Sequence, residues 1–132
     1  MAKPKPRSSV RGFTLIELLI VTVVIAILAS LVAPRLRVVR EKAADAAALS
    51  SLHDLTTALE LYFNERYEYP SDPALLVDYG WAPTEDVTVT TYKVETKSSP
   101  PSVHIHIEHR ASTHFFHLKF PTDAQPEKRS KK

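Results

Sequence analysis

From Phe13 to Ala33 the chain runs through 21 consecutive residues of which only Thr14, Glu17, Thr22 and Ser30 are polar. At about 1.5 Å per residue a helix over this stretch is about 30 Å long, the thickness of the hydrocarbon part of a bilayer. A helix that is apolar all round has to be buried somewhere, and this length fits a membrane. Its one acid, Glu17, stands five residues into the run. A carboxylate at bilayer depth costs about 2.5–3.5 kcal/mol on insertion scales, so Glu17 requires a partner or a purpose.

The flanking charges set an orientation. Residues 1–12 hold Lys3, Lys5, Arg7 and Arg11 and no acid, a charge of +4, whereas the rest of the chain carries −2. By the positive-inside bias the N-terminus stays cytoplasmic and the remainder is sent outward. A secretory signal places its apolar run before a small-residue cleavage site. Here the small residue, Gly12, precedes the run. Cleavage after Gly12 would leave the apolar segment on the mature protein as its new N-terminus; without cleavage, it is a signal anchor.

With 132 residues the chain has room for one modest domain beyond this segment. It contains no cysteine, which excludes disulfides, thiolate metal sites and cysteine nucleophiles. Its only glycines, Gly12 and Gly80, exclude glycine-rich phosphate loops. Beyond the span, Pro34 predicts a bend, and Arg35, Arg37 and Arg40 suit an interfacial anchor. From Val38 to Arg66, Leu49, Leu52, Leu55, Leu59, Tyr62 and Phe63 recur at spacings of three and four, so the helix continues as an amphipathic one, from about Thr14 to Arg66 overall.

The connector Tyr67–Pro83 predicts a short helix, with Asp72 as N-cap, Pro73 first and Gly80 past its end. Its dense aromatics, Tyr67, Tyr69, Tyr79 and Trp81, read best as a lid over a small core. Val87–Glu95, Val103–Glu108 and His114–Phe120 predict three strands joined by short connectors, hence an antiparallel meander covering the leucine face of the helix. Residues 121–132 lack apolar content and are expected to be a disordered tail.

The expected fold is therefore α+β: a long N-terminal helix, hydrophobic in its first half and amphipathic in its second, packed by its C-terminal half against a small antiparallel sheet of about three strands. The divisions are a basic leader over 1–12, a transmembrane or filament-core helix over 13–34, and its amphipathic continuation over 35–66. A globular head over 67–120 and the tail over 121–132 follow.

The segment Gly12-Phe13-Thr14-Leu15-Ile16-Glu17-Leu18-Leu19-Ile20 resembles the processing motif of type IV prepilins and of the pseudopilins of type II secretion systems. The resemblance is dense over residues 11–34, includes Pro34, where helices of the family bend, and becomes generic beyond. It implies that Gly12 is the cleavage-site glycine, Phe13 the methylated new N-terminus and Glu17 the acid at the fifth mature position. It also implies a pilin-like fold and a homo-oligomeric helical filament. Further implied partners are a prepilin peptidase and an assembly platform with its ATPase. The subunit would wait in the inner membrane with a cytoplasmic N-terminus and end in an extracellular pilus or a periplasmic pseudopilus. The roles such a pilus implies are adhesion, twitching motility or DNA uptake.

The physical reading of Glu17 fits that picture. Cleavage would put a positive α-amine on Phe13, and axially offset helices would let the amine of one subunit meet the carboxylate of another. Pairing offsets the cost of burying each charge and checks the register of an added subunit.

Two alternatives stand beside the pilin reading. One is a major pseudopilin, in many of which acidic residues of a C-terminal loop bind calcium; after Glu108 this chain offers only Asp123 and Glu127. The other is a monomeric signal-anchored protein with a ligand-binding β domain, which leaves Glu17 and the Gly12-Phe13 junction unexplained. No catalytic motif is present, so an enzyme is not expected, nor is a cofactor. His104, His106, His109, His114 and His117 are the one cluster that suggests metal, but the sequence secures no convergent ligand set, and no metal is expected. The basic end Lys128-Arg129-Ser130-Lys131-Lys132 admits nucleic acid as a partner without supporting it.

Overall fold

The computed structural model describes residues 12–131, without the side chains of residues 33 and 34. Residues 1–11 of the leader expected over 1–12 thus lie outside the described residues, as does the side chain of Pro34, where the backbone is helical. In chain order the elements are a helix α1 (Leu15–Arg66), a short 3-10 helix (Pro73–Tyr79) and four strands. These are β1 (Val87–Glu95), β2 (Ser102–His109), β3 (His114–Phe120) and β4 (Glu127–Ser130). Two compact units divide the chain, residues 1–36 and residues 37–132, and α1 contributes to both.

In the second unit, a face of α1 is buried at Ala44, Ala48, Leu52, Leu55, Ala58 and Leu59. Spacings of three and four put these residues on one stripe. They share a core with Val103, Ile105 and Ile107 of β2, Phe116, Leu118 and Phe120 of β3, and Val87 of β1, closed by Leu76 and Trp81; Ala44 alone stands outside the contiguous cluster. The stripe departs from the leucine pattern at two points. Leu49 is 38% exposed, on the rim of a groove with Leu118, Phe120 and Pro126, and Ala48 and Ala58 are buried in the stripe.

Asp72 caps the 3-10 helix: its side chain accepts a hydrogen bond from the Ala74 N–H at 2.8 Å. Gly80 ends that helix at φ 93°, a left-handed conformation that favours glycine. The aromatic lid is present. Tyr69 stacks on Phe63, with ring centres 4.8 Å apart, and meets Phe120 edge-on. Tyr79 packs on Tyr62, and Trp81 lies in the core. Tyr67 alone of the four turns outward, 83% exposed, at φ 60°, where it ends α1.

The sheet is a meander in the order β1-β2-β3-β4, every pair antiparallel. In β1 the inward residues change parity, from Val87 and Val89 to Tyr92 and Val94. The register slips between Val89 and Thr91, and a bulge there returns the later side chains to the core face.

The fourth strand corrects the expectation for residues 121–132. Glu127–Ser130 pairs with β3, placing Glu127 opposite His117 and Lys128 opposite Phe116. All four residues of β4 are exposed. The strand is held by backbone pairing and by one inward charge, since Lys128 Nζ lies 2.6 Å from Asp45 Oδ2 on α1. A short charged edge strand of this kind also discourages pairing with a foreign edge.

Candidate functional site

The start of α1 explains how an apolar segment carries an acid. Thr14 precedes the first helical residue, and Glu17 stands three residues later, the spacing of a capping box. Glu17 Oε2 accepts hydrogen bonds from the Thr14 N–H at 3.1 Å and from Thr14 Oγ1 at 3.0 Å. The Glu17 N–H donates in return to Thr14 Oγ1 at 3.3 Å. Free N–H groups and the helix dipole at this end favour a negative charge. One carboxylate oxygen takes both bonds, and Oε1 has no hydrogen bond among the described residues.

The other polar side chains of the run fold back on the helix itself. Thr22 Oγ1 donates to the Leu19 carbonyl at 2.8 Å and Ser30 Oγ to the Ile27 carbonyl at 2.7 Å. What remains on the surface from Phe13 to Val32 is apolar, with Phe13 76% and Leu15 86% exposed. The stretch is long and apolar enough to cross a membrane. A Cβ built on Gly12 meets nothing within 4 Å among the described residues, so no packing demand from them explains glycine there.

Residues 7–33 match the family described as the prokaryotic N-terminal methylation motif. The chain carries this motif over that stretch. The type II secretion system core protein G of Escherichia coli (strain K12) is 39% identical over 85 residues, 64% of this chain and 59% of that protein. The type IV wide pilus major component PilA4 of Thermus thermophilus is 41% identical over 70 residues, 53% of each chain. Core protein G of Vibrio cholerae is 40% identical over 60 residues, 46% of this chain and 41% of that protein. The chain thus spans about half the length of the curated relatives it matches. Its long helix and small antiparallel sheet agree with a pilin fold.

In the head the structure divides the histidine cluster. His114 turns toward the helix, with Nδ1 3.4 Å from Glu41 Oε1 and 3.6 Å from Asp45 Oδ2. His109 Nδ1 accepts from the Ala111 N–H at 3.0 Å and shapes the β2–β3 turn. His104, His106 and His117 share the outer face of the sheet. Burial pushes the His106 imidazole below its ordinary pKa, and the neighbouring His117, Arg129 and His104 push it the same way. The two late acids are engaged within the fold: Asp123 Oδ2 accepts from the Lys119 N–H at 2.7 Å, and Glu127 pairs with Arg129 at 2.7 Å.

Sequence reasoning missed a cluster fastening α1 to the sheet. Asp45, 8% exposed, accepts a hydrogen bond from Ser112 Oγ and meets Lys128, while Glu41 accepts one from Thr113 Oγ1. Its only sequence signal is an acid amid alanines at a core-facing helical position, Asp45 beside Ala44 and Ala48.

Proposed function

We propose that this chain is a structural subunit of a type IV pilus-like filament, made as a prepilin and held in the inner membrane by residues 13–34. A membrane peptidase cuts after Gly12 and methylates Phe13; assembly machinery then draws the helix from the bilayer into the filament core. Supporting this are the match of residues 7–33 to the methylation motif and the apolar surface from Phe13 to Val32. Glu17 carries the mechanism. Its capping box makes the charge tolerable while the subunit waits in lipid, and the free Oε1 is left for the α-amine of a neighbouring subunit. In a low-dielectric filament core that pairing favours a subunit at the correct height over one out of register. The bend at Pro34 belongs to this proposal and would adapt the helix where it leaves the core.

A pseudopilus of a type II secretion system is the second reading, favoured by the similarity to core protein G of Escherichia coli and of Vibrio cholerae. The test is electron microscopy of sheared surface fibres from cells carrying Glu17→Ala. Membrane insertion is expected to persist while fibres are lost. Normal fibres from that variant would overturn the mechanism. A wild type without surface fibres, whose deletion blocks protein secretion, would favour the second reading.

A further inference from the structure

The outer face of the sheet carries three imidazoles in an arrangement that solvent-facing histidines do not require. His104 and His106 alternate with the inward Val103, Ile105 and Ile107, so both point outward from β2, about 6.6 Å apart along the strand. His117 of β3 is directly opposite His106 and diagonal to His104, whose own partner is Lys119. Directly opposed side chains on an antiparallel pair start about 5 Å apart and diagonal ones about 7–8 Å, so all three rings reach a common point above the sheet.

The ring spacing of His106 and His117 matches a shared metal, and that of His104 and His117 is wider. Two imidazoles on one tetrahedral zinc, each nitrogen about 2.0–2.1 Å from the ion, have ring centres about 5 Å apart. The ring centres of His106 and His117 are 4.9 Å apart and those of His104 and His117 are 6.0 Å apart. What is missing is orientation: among the described residues no three His, Asp or Glu side chains converge as they now stand. Rotamer changes about χ1 and χ2 together would supply it and draw His104 inward, with the strands in place.

The surroundings also point to a ligand. His104 Nε2 is shut off from water and makes no well-aligned hydrogen bond, although Glu95 Oε2 lies 3.3 Å away. A carboxylate beside one nitrogen of an imidazole is the usual device for orienting the other toward a metal. We propose that His104, His106 and His117 form a binding site for a divalent transition metal of the zinc type, with Glu95 as the positioning carboxylate of His104. Imidazole ligands of this number suit zinc, copper and nickel over calcium or magnesium. Such a site would pin β2 to β3 on the face opposite the helix.

The experiment is a zinc chloride titration by calorimetry on the metal-stripped full chain in detergent micelles, paired with thermal unfolding. Expected are about one zinc per chain and an upward shift of the unfolding transition on adding zinc. His106→Ala and His117→Ala are expected to weaken binding at least tenfold, and Glu95→Gln less, within the range typical of outer-shell partners. His53→Ala, on the helix and outside the site, leaves it unchanged. His117→Gln, similar in bulk and polarity, carries the same expectation should His117→Ala fail to fold. No zinc uptake by the wild type, or uptake that His106→Ala and His117→Gln leave intact, overturns the proposal. So does equal weakening by His53→Ala, which would mark adventitious surface binding.

Discussion

Replacing Asp45 by alanine tests how the head is fastened to its helix. The carboxylate lies 8% exposed between α1 and the sheet, accepting from Ser112 Oγ through Oδ1 and meeting Lys128 Nζ at 2.6 Å through Oδ2. A hydrogen bond to a charged group contributes about 1.5–3 kcal/mol, and the buried Ser112 hydroxyl would lose the acceptor for its proton. The Lys128 side chain is 47% exposed, so screening leaves its pair worth about 0–1 kcal/mol. Relief of the buried charge returns part of this, and a net loss of about 2 kcal/mol is expected. Burial alone would push the Asp45 carboxyl up, but hydrogen bonds from Lys128 and Ser112 and the Lys128 charge outweigh it and hold the carboxyl below its ordinary value. The sign follows. A carboxyl depressed on folding stabilises fully above its unfolded value of about 3.9 and loses that contribution as pH falls through the folded one. Urea unfolding of the full chain in detergent reads this at Trp81, the one tryptophan, 4% exposed. Wild type and Asp45→Ala should differ at neutral pH and converge as the solution is acidified below about pH 4. A neutral-pH difference under about 0.5 kcal/mol, typical of an ordinary surface substitution, would refute the fastening. A gap unchanged in acid would refute the ionised-carboxylate account.

Two further perturbations address the core and the leader. Leu59 is fully buried at the centre of the helix–sheet core, and Leu59→Ala is expected to lose about 2–5 kcal/mol in the same urea assay. A loss below about 1 kcal/mol would mean that the core is not closed there. Gly12→Leu is expected to leave the leader attached, because the proposed cut follows Gly12, where no packing among the described residues demands glycine. Mass spectrometry of the native N-terminus decides: an unmethylated, full-length chain agrees, whereas a methylated Phe13 from the variant contradicts the requirement for Gly12 in cleavage.

Much of this architecture is legible in residue order because local physics fixes it. Strict alternation in β2 and β3 set their faces, and Asp72, Pro73 and Gly80 set the 3-10 helix. Each rests on backbone geometry that a few neighbouring residues decide. β4 was illegible for the opposite reason. Glu127-Lys128-Arg129-Ser130 has no apolar face to bury, and its order comes from the free edge of β3 and from Asp45, distant along the chain. The bulge in β1 was half visible, as the break in alternation between Val89 and Tyr92, but only pairing with β2 located it.

The opening run divides in the same way. Residue order alone determined that Phe13–Ala33 is a bilayer-length apolar segment with one acid behind a basic leader, because hydropathy and charge are properties of the residues themselves. It left Glu17 in need of a partner. The structure supplied one from within the chain, Thr14, and left the second oxygen without a partner among the described residues, since hydrogen-bond geometry exists only once the helix has formed. In the head, the core stripe, the Asp45 fastening and the spacing of the three outer imidazoles were likewise decided by tertiary structure. They depend on strand register and on how closely helix and sheet approach, which no local pattern encodes.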